Sequence, residues 1–191
     1  DELELNGSLF GCFQTEPRLV IHKCRVQWGY GRSDDGMRRV VNQGEEEGLW
    51  SVLENGEDEQ FISPSQYAHA TVLGGTRRIQ GCGKPPERCI WVAEAGKPAE
   101  RLVQGPYFWH SGASYDGEWI VADTNWPDQG LQLIHVPTRR FQTLCFPRAS
   151  QDHVQYGHPH PTVSQDGRVV LFRSDRTGVS QLYLVRISEE F

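Results

Sequence analysis

The sequence predicts an all-β chain organised as consecutive β-propeller blades. Three observations carry that expectation. One phrase recurs about every 40 to 50 residues: a His or aromatic, a short apolar run, a Gly turn, a second apolar run and an aromatic-centred strand. The 191 residues hold 20 Gly and 11 Pro against one Met, with 37% hydrophobic and 23% charged, a mixture of turn-rich β proteins rather than helical bundles. No segment sustains a helical period over three turns, whereas the short runs alternate apolar and polar positions, as strands with one buried face do.

Taken in order, residues 1–23 open with Asp1-Glu2-Leu3-Glu4-Leu5 and read as the remnant of a blade whose start is truncated. Residues 24–60 read as the next blade: Cys24-Arg25-Val26-Gln27-Trp28, the turn Ser33-Asp34-Asp35-Gly36, then Arg39-Val40-Val41-Asn42 and Leu49-Trp50-Ser51-Val52. Residues 67–103 repeat the grammar from His69-Ala70-Thr71-Val72 through Gly74-Gly75 to Cys89-Ile90-Trp91-Val92-Ala93. Residues 108–144 carry Tyr115-Asp116-Gly117, then Glu118-Trp119-Ile120-Val121-Ala122-Asp123 and Gly130-Leu131-Gln132-Leu133-Ile134. The clearest copy is 158–189, where Gln165-Asp166-Gly167 joins Thr162-Val163 to Val169-Val170-Leu171-Phe172, since Asp-Gly suits a hairpin turn. About four blades cannot close a ring of the usual seven, and an open arc exposes apolar faces and strand edges. The chain is therefore expected to be a fragment of a longer polypeptide, or to associate with copies of itself.

Composition also excludes partners. A formal net charge of −6 argues against nucleic acid, which wants a basic face. A polyanionic substrate remains open, because a site senses its local field and Arg32, Arg38, Arg39, Arg77, Arg78 and Lys84 could make one cleft positive. No run approaches the roughly 18 to 20 apolar residues of a membrane span, and the first residues do not read as a signal peptide. The five cysteines, Cys12, Cys24, Cys82, Cys89 and Cys145, have no framework spacing, so a reducing, cytoplasmic location is expected. Cys82 and Cys89, flanking Lys84-Pro85-Pro86, leave a zinc site or a bridge open beside plain buried thiols.

The densest set of ligand-competent side chains is Gln155-Tyr156-Gly157-His158-Pro159-His160. In an extended segment, His at i and i+2 project to one side, and the intervening Pro favours extension over helix. Gln155 adds a neutral amide oxygen, and mixed N and O donors suit Mn²⁺ or a related divalent ion. Alone, the triplet reads either as a metal site or as a turn with hydrogen-bonded histidines. His110, in Phe108-Trp109-His110, begins the previous blade and His69 the one before it. Innermost strands of propeller blades face one channel, so residues at equivalent blade starts converge although distant in sequence. His22, His153 and His135 fall outside that position and read as surface or packing residues.

These motifs, in this order over residues 24–189, resemble the C-terminal half of oligogalacturonate lyase, a seven-bladed propeller family of pectin breakdown; the last blade by itself is equally TolB-like. The resemblance implies His110, Gln155, His158 and His160 as manganese ligands and His69 as catalytic base. The family pairs that base with an Arg shortly before the Trp of the preceding blade. Here that stretch reads Glu46-Glu47-Gly48-Leu49-Trp50, leaving Arg38, Arg39 or Arg77 as substitutes. The implied reaction is β-elimination on an oligogalacturonate or related uronate oligosaccharide: the base takes the proton α to the carboxylate and the C4 oxygen leaves. Trp109, Tyr156 or Trp126 could stack on the sugar faces or serve as blade core. Two rival readings are a non-catalytic TolB-like propeller that binds protein or glycan, and a lyase for another uronic acid; propellers host unrelated functions.

Overall fold

The computed structural model describes residues 7–13, 18–23, 26–29, 38–41, 48–53, 57–58, 60–64, 67–83, 86–125, 127–152 and 157–188. All regular structure among them is β, and none is in a helix long and apolar enough to cross a membrane. The first four-stranded sheet joins β1 (Gly7–Phe13), β2 (Arg18–Lys23), β5 (Gly48–Leu53) and β6 (Gln60–Pro64). Between β2 and β5 the chain forms a separate hairpin of β3 (Val26–Gly29) and β4 (Arg38–Val41). The strands expected together in 24–60 thus divide between two sheets, and part of the expected remnant 1–23 supplies half of this blade. An apolar run flanking an Asp-Gly turn specifies a hairpin but not the sheet that the hairpin joins.

The following sheets are simple antiparallel meanders. One runs β7 (Tyr67–Val72), β8 (Arg78–Gly83), β9 (Cys89–Glu94), β10 (Glu100–Gln104). The next runs β11 (Phe108–Ala113), β12 (Trp119–Thr124), β13 (Leu131–His135), β14 (Arg140–Cys145). The last has three strands, β15 (Thr162–Val163), β16 (Val169–Ser174) and β17 (Gln181–Arg186). Strand β11 packs between β7 and β15, and β7 also meets β1, so the leading strands of successive blades stand side by side.

The core lies between the blades. Leu73, Ile90, Val92 and Leu102 of one blade interlock with Phe108, Ile120, Ala122 and Ile134 of the next. On the opposite face, Val121 and Leu131 meet Val163, Val170 and Phe172. Both faces of β12 are therefore buried, not one as the alternation suggests, because each middle blade is sandwiched. Beyond the last blade, Leu182 and Leu184 of β17 are 70% and 71% exposed.

The Ser-x-Asp-Gly turns repeat in detail. Asp116 accepts from the Glu118 main chain while Ser114 Oγ accepts from Trp119 N at 2.9 Å; Asp166 and Ser164 make the same pattern with Arg168 and Val169. Each turn closes on a Gly in the left-handed region, Gly117 at φ 73° and Gly167 at φ 71°. Cys82 and Cys89 are buried and unlinked.

A histidine cluster at the blade mouths

One backbone device builds the site three times. In β7 and β8, Ala68 pairs with Cys82 and Thr71 with Gln80, so His69 and Ala70 together oppose Gly81. In β11 and β12, Phe108 pairs with Thr124 and Ser111 with Ala122, so Trp109 and His110 oppose Asp123. In the last blade Arg173 N donates to Pro159 O at 2.9 Å and Thr162 pairs with Leu171, leaving His160 and Pro161 opposite Phe172. Two residues against one is a β-bulge, which bends a strand and re-aims its side chains. His69 thus matches Trp109 and His160, and His110 stands one position later than the equivalent blade starts expected from the sequence. His69 and His160 share a left-handed backbone, with φ 54° and 45°, a state costing about 1–2 kcal/mol for a residue with a Cβ. For His160, which precedes Pro161, this replaces the extended conformation expected from the His-Pro-His triplet.

The bulges carry His69, His110 and His160 to one place, where His158 joins them. The candidate ligand nitrogens of His110, His158 and His160 all lie within 4.8 Å of one another. The His110 ring centroid is 3.7 Å from that of His160 and 5.4 Å from that of His158. His69 stands 4.5 Å from His110, with its ring edge-on to Trp109 at 5.1 Å. The close approach depends on Gly112, where a Cβ would meet Pro161 O at 3.0 Å and Thr162 Cα at 3.1 Å. The four histidines line a cleft of about 980 Å³ together with Trp109, Ser111, Thr162 and Tyr115.

The surroundings fit a divalent metal ion. Metal-bound His characteristically passes its second ring nitrogen to a carboxylate or a main-chain carbonyl. Here Asp123 lies 3.0 Å from His110 Nδ1, and the Gln151 main chain hydrogen-bonds the His158 ring. Arg173 holds the loop from below, donating to the His158 carbonyl at 3.2 and 3.3 Å. Burial, then the His110 ring and Arg173, keep His158 below its usual pKa against the opposing pull of Asp123 and Gln151. Partial burial and the neighbouring imidazoles, His110 first, lower His69 to about 4 although its residue surface stays exposed, with Asp123 opposing. Neutral imidazoles are the metal-binding and proton-accepting form.

Sequence reasoning missed Asp123, Gln151 and Arg173. Asp123 had a signal, an acid ending the apolar strand Trp119–Thr124, but one that a turn residue also gives. Gln155, Tyr156, Trp126, Arg32 and Lys84 lie outside the described residues, as do the side chains of Arg38 and Arg39, whose backbone belongs to β4. Arg77 is exposed on the turn after Leu73, Arg78 pairs with Glu100, and the described lining of the cleft holds no Arg or Lys. His135 packs in its late strand, 4.5 Å from the Trp119 ring and hydrogen-bonded to Thr138.

No protein-family model and no curated protein sequence matches the chain. Its fold is similar to that of an oligogalacturonate lyase from Vibrio parahaemolyticus, with TM-score 0.64 and 19% identity over 92% of this chain and 47% of that one. It is also similar to an oligogalacturonate lyase in complex with manganese, with TM-score 0.65 and 16% identity over 91% of this chain and 46% of that one. The chain spans about half the length of these structures. At such identities the likeness establishes the fold, all-β and of β-propeller type, and it is shared with the family that the Gln155 to His160 motif resembles.

Proposed function

We propose that this chain carries the metal-binding and proton-abstracting centre of a lyase that cleaves oligogalacturonate by β-elimination. The observation that carries the reading is the convergence of His110, His158 and His160 beside a neutral His69 in one cleft. The likeness of fold to two oligogalacturonate lyases, one of them a manganese complex, supports the same class.

In this reading His110, His158 and His160, with Gln155 from the same loop, hold a Mn²⁺-type ion. When bound, the ion supplies Lewis-acid stabilisation of the uronate carboxylate as negative charge develops there. His69 accepts the proton α to that carboxylate and becomes imidazolium; the C–H electron pair forms the new double bond, and the C4–O bond breaks to release the other sugar. With the His69 pKa lowered to about 4, the ring is neutral and ready to accept a proton at neutral pH. Trp109, half-buried against His69, offers its ring to a sugar face. A cleft lining without Arg or Lys among the described residues leaves carboxylate binding to the histidine-held ion.

The test is the ultraviolet absorbance of the unsaturated uronate product from digalacturonate, with and without added Mn²⁺. Product that appears with metal and vanishes in His69→Ala supports the reading. Metal binding without product from any uronate oligomer overturns the lyase reading.

A further inference from the structure

Asp123 is 2% exposed and lies opposite the bulge that carries Trp109 and His110. Its oxygens accept from both sides of the histidine cluster. Oδ1 takes the His110 main-chain N–H at 2.7 Å, and Oδ2 takes the His160 main-chain N–H at 3.1 Å while lying 3.0 Å from His110 Nδ1. Its one ion-pair contact among the described residues is that ring. A buried carboxylate is costly unless its lone pairs are used, and here every use points at a residue of the cluster. The corresponding positions in the neighbouring blades are Gly81 and Phe172, neither of which can accept from a side chain, so the bulge itself does not require an acid.

We propose that Asp123 is a positioning residue: it holds His110 as the Nδ1–H tautomer and ties the His160 backbone to it, fixing nitrogens from two blades relative to each other before an ion arrives. The inference rests on reading the cluster as a metal site. A neutral imidazole has one N–H. With that N–H donated to Asp123, Nε2 keeps its lone pair; with the proton on Nε2 instead, that nitrogen cannot ligate and the free lone pair on Nδ1 faces the carboxylate. An amide cannot replace the carboxylate, because its NH₂ accepts nothing. Turned toward Oδ2's position, it meets the His160 N–H donor and draws the His110 proton to Nε2.

The experiment uses the full chain and its Asp123→Asn variant, with two readouts: long-range ¹H–¹⁵N spectra of the histidine rings without metal, and Mn²⁺ affinity by titration. The expected result is a wild-type His110 protonated on Nδ1, a shift toward Nε2–H in the variant, and Mn²⁺ affinity about 10- to 100-fold weaker. A wild-type His110 protonated on Nε2 overturns the proposal, and that spectrum decides it even if the variant fails to fold. So does a folded variant with unchanged tautomer and unchanged affinity. A tautomer switch between wild type and variant, with no Mn²⁺ bound by the wild type, overturns the metal reading instead, so the two failures are distinct.

Discussion

Substituting the same residue at two glycines separates fold from site. At Gly112 an added methyl meets Pro161 O at 3.0 Å, Thr162 Cα at 3.1 Å and Thr162 Oγ1 at 3.3 Å. Two of these are backbone atoms of β15 and its approach, so the strand must give by a few tenths of an ångström. Overpacking of this kind costs about 1–3 kcal/mol. Gly112 is two residues from His110, and Pro161 is one from His160, so the displacement falls on the two rings whose centroids lie 3.7 Å apart. Ligand distances in metal sites tolerate about 0.2 Å, less than the required shift. Gly96 is the control: nothing lies within 4 Å of its added methyl, but its φ of 75° makes Ala cost about 1–2 kcal/mol. Urea unfolding should therefore show comparable losses for Gly112→Ala and Gly96→Ala, whereas Mn²⁺ titration should weaken about 10-fold or more only for Gly112→Ala. Equal Mn²⁺ affinity in the two variants would refute the claim that the closeness of β11 and β15 sets the site.

Other consequences are measurable with the same methods. Because His69 has a folded-state pKa near 4 against 6.5 for the free ring, the folded metal-free chain binds fewer protons than the unfolded one between those values, so stability should fall as pH drops through that window. Urea midpoints across it should be flatter in His69→Gln, and an unchanged slope contradicts the lowered pKa of that ring. Ile120→Ala should lose about 2–5 kcal/mol, because the side chain is fully buried between two blades, whereas Leu182→Ala on the open face of β17 should stay within about 0.5 kcal/mol. Comparable losses at both positions contradict the inter-blade core. Arg173→Met, which removes two hydrogen bonds to the His158 carbonyl, should weaken Mn²⁺ binding while keeping most of the stability; unchanged affinity shows that the loop holds itself.

What the sequence made legible was what local chemistry decides. Ser164-Gln165-Asp166-Gly167 and Ser114-Tyr115-Asp116-Gly117 form the hairpin turns their residues call for, because the Asp and Ser side chains satisfy the turn's own amides. His69, His110, His158 and His160 were legible as candidates because repeating blades bring distant positions to one mouth. Three things were not. The β3–β4 hairpin carries the apolar pattern of a blade, and its separation from that blade depends on which edge pairs with which. The bulges that offset His110 from His69 by one residue leave no mark in composition. Asp123 reads as the polar end of a strand until Trp109-His110 on one side and His160 on the other close over it.

The proposed function requires that His110, His158 and His160 form one divalent metal centre. The most direct test is the Mn²⁺ stoichiometry of the metal-stripped protein beside a His158→Ala/His160→Ala variant, read by electron paramagnetic resonance of the free ion. One tightly held ion per wild-type chain and none in the folded variant is the expected result. Equal binding by both proteins, or no binding by the folded wild type, would contradict it.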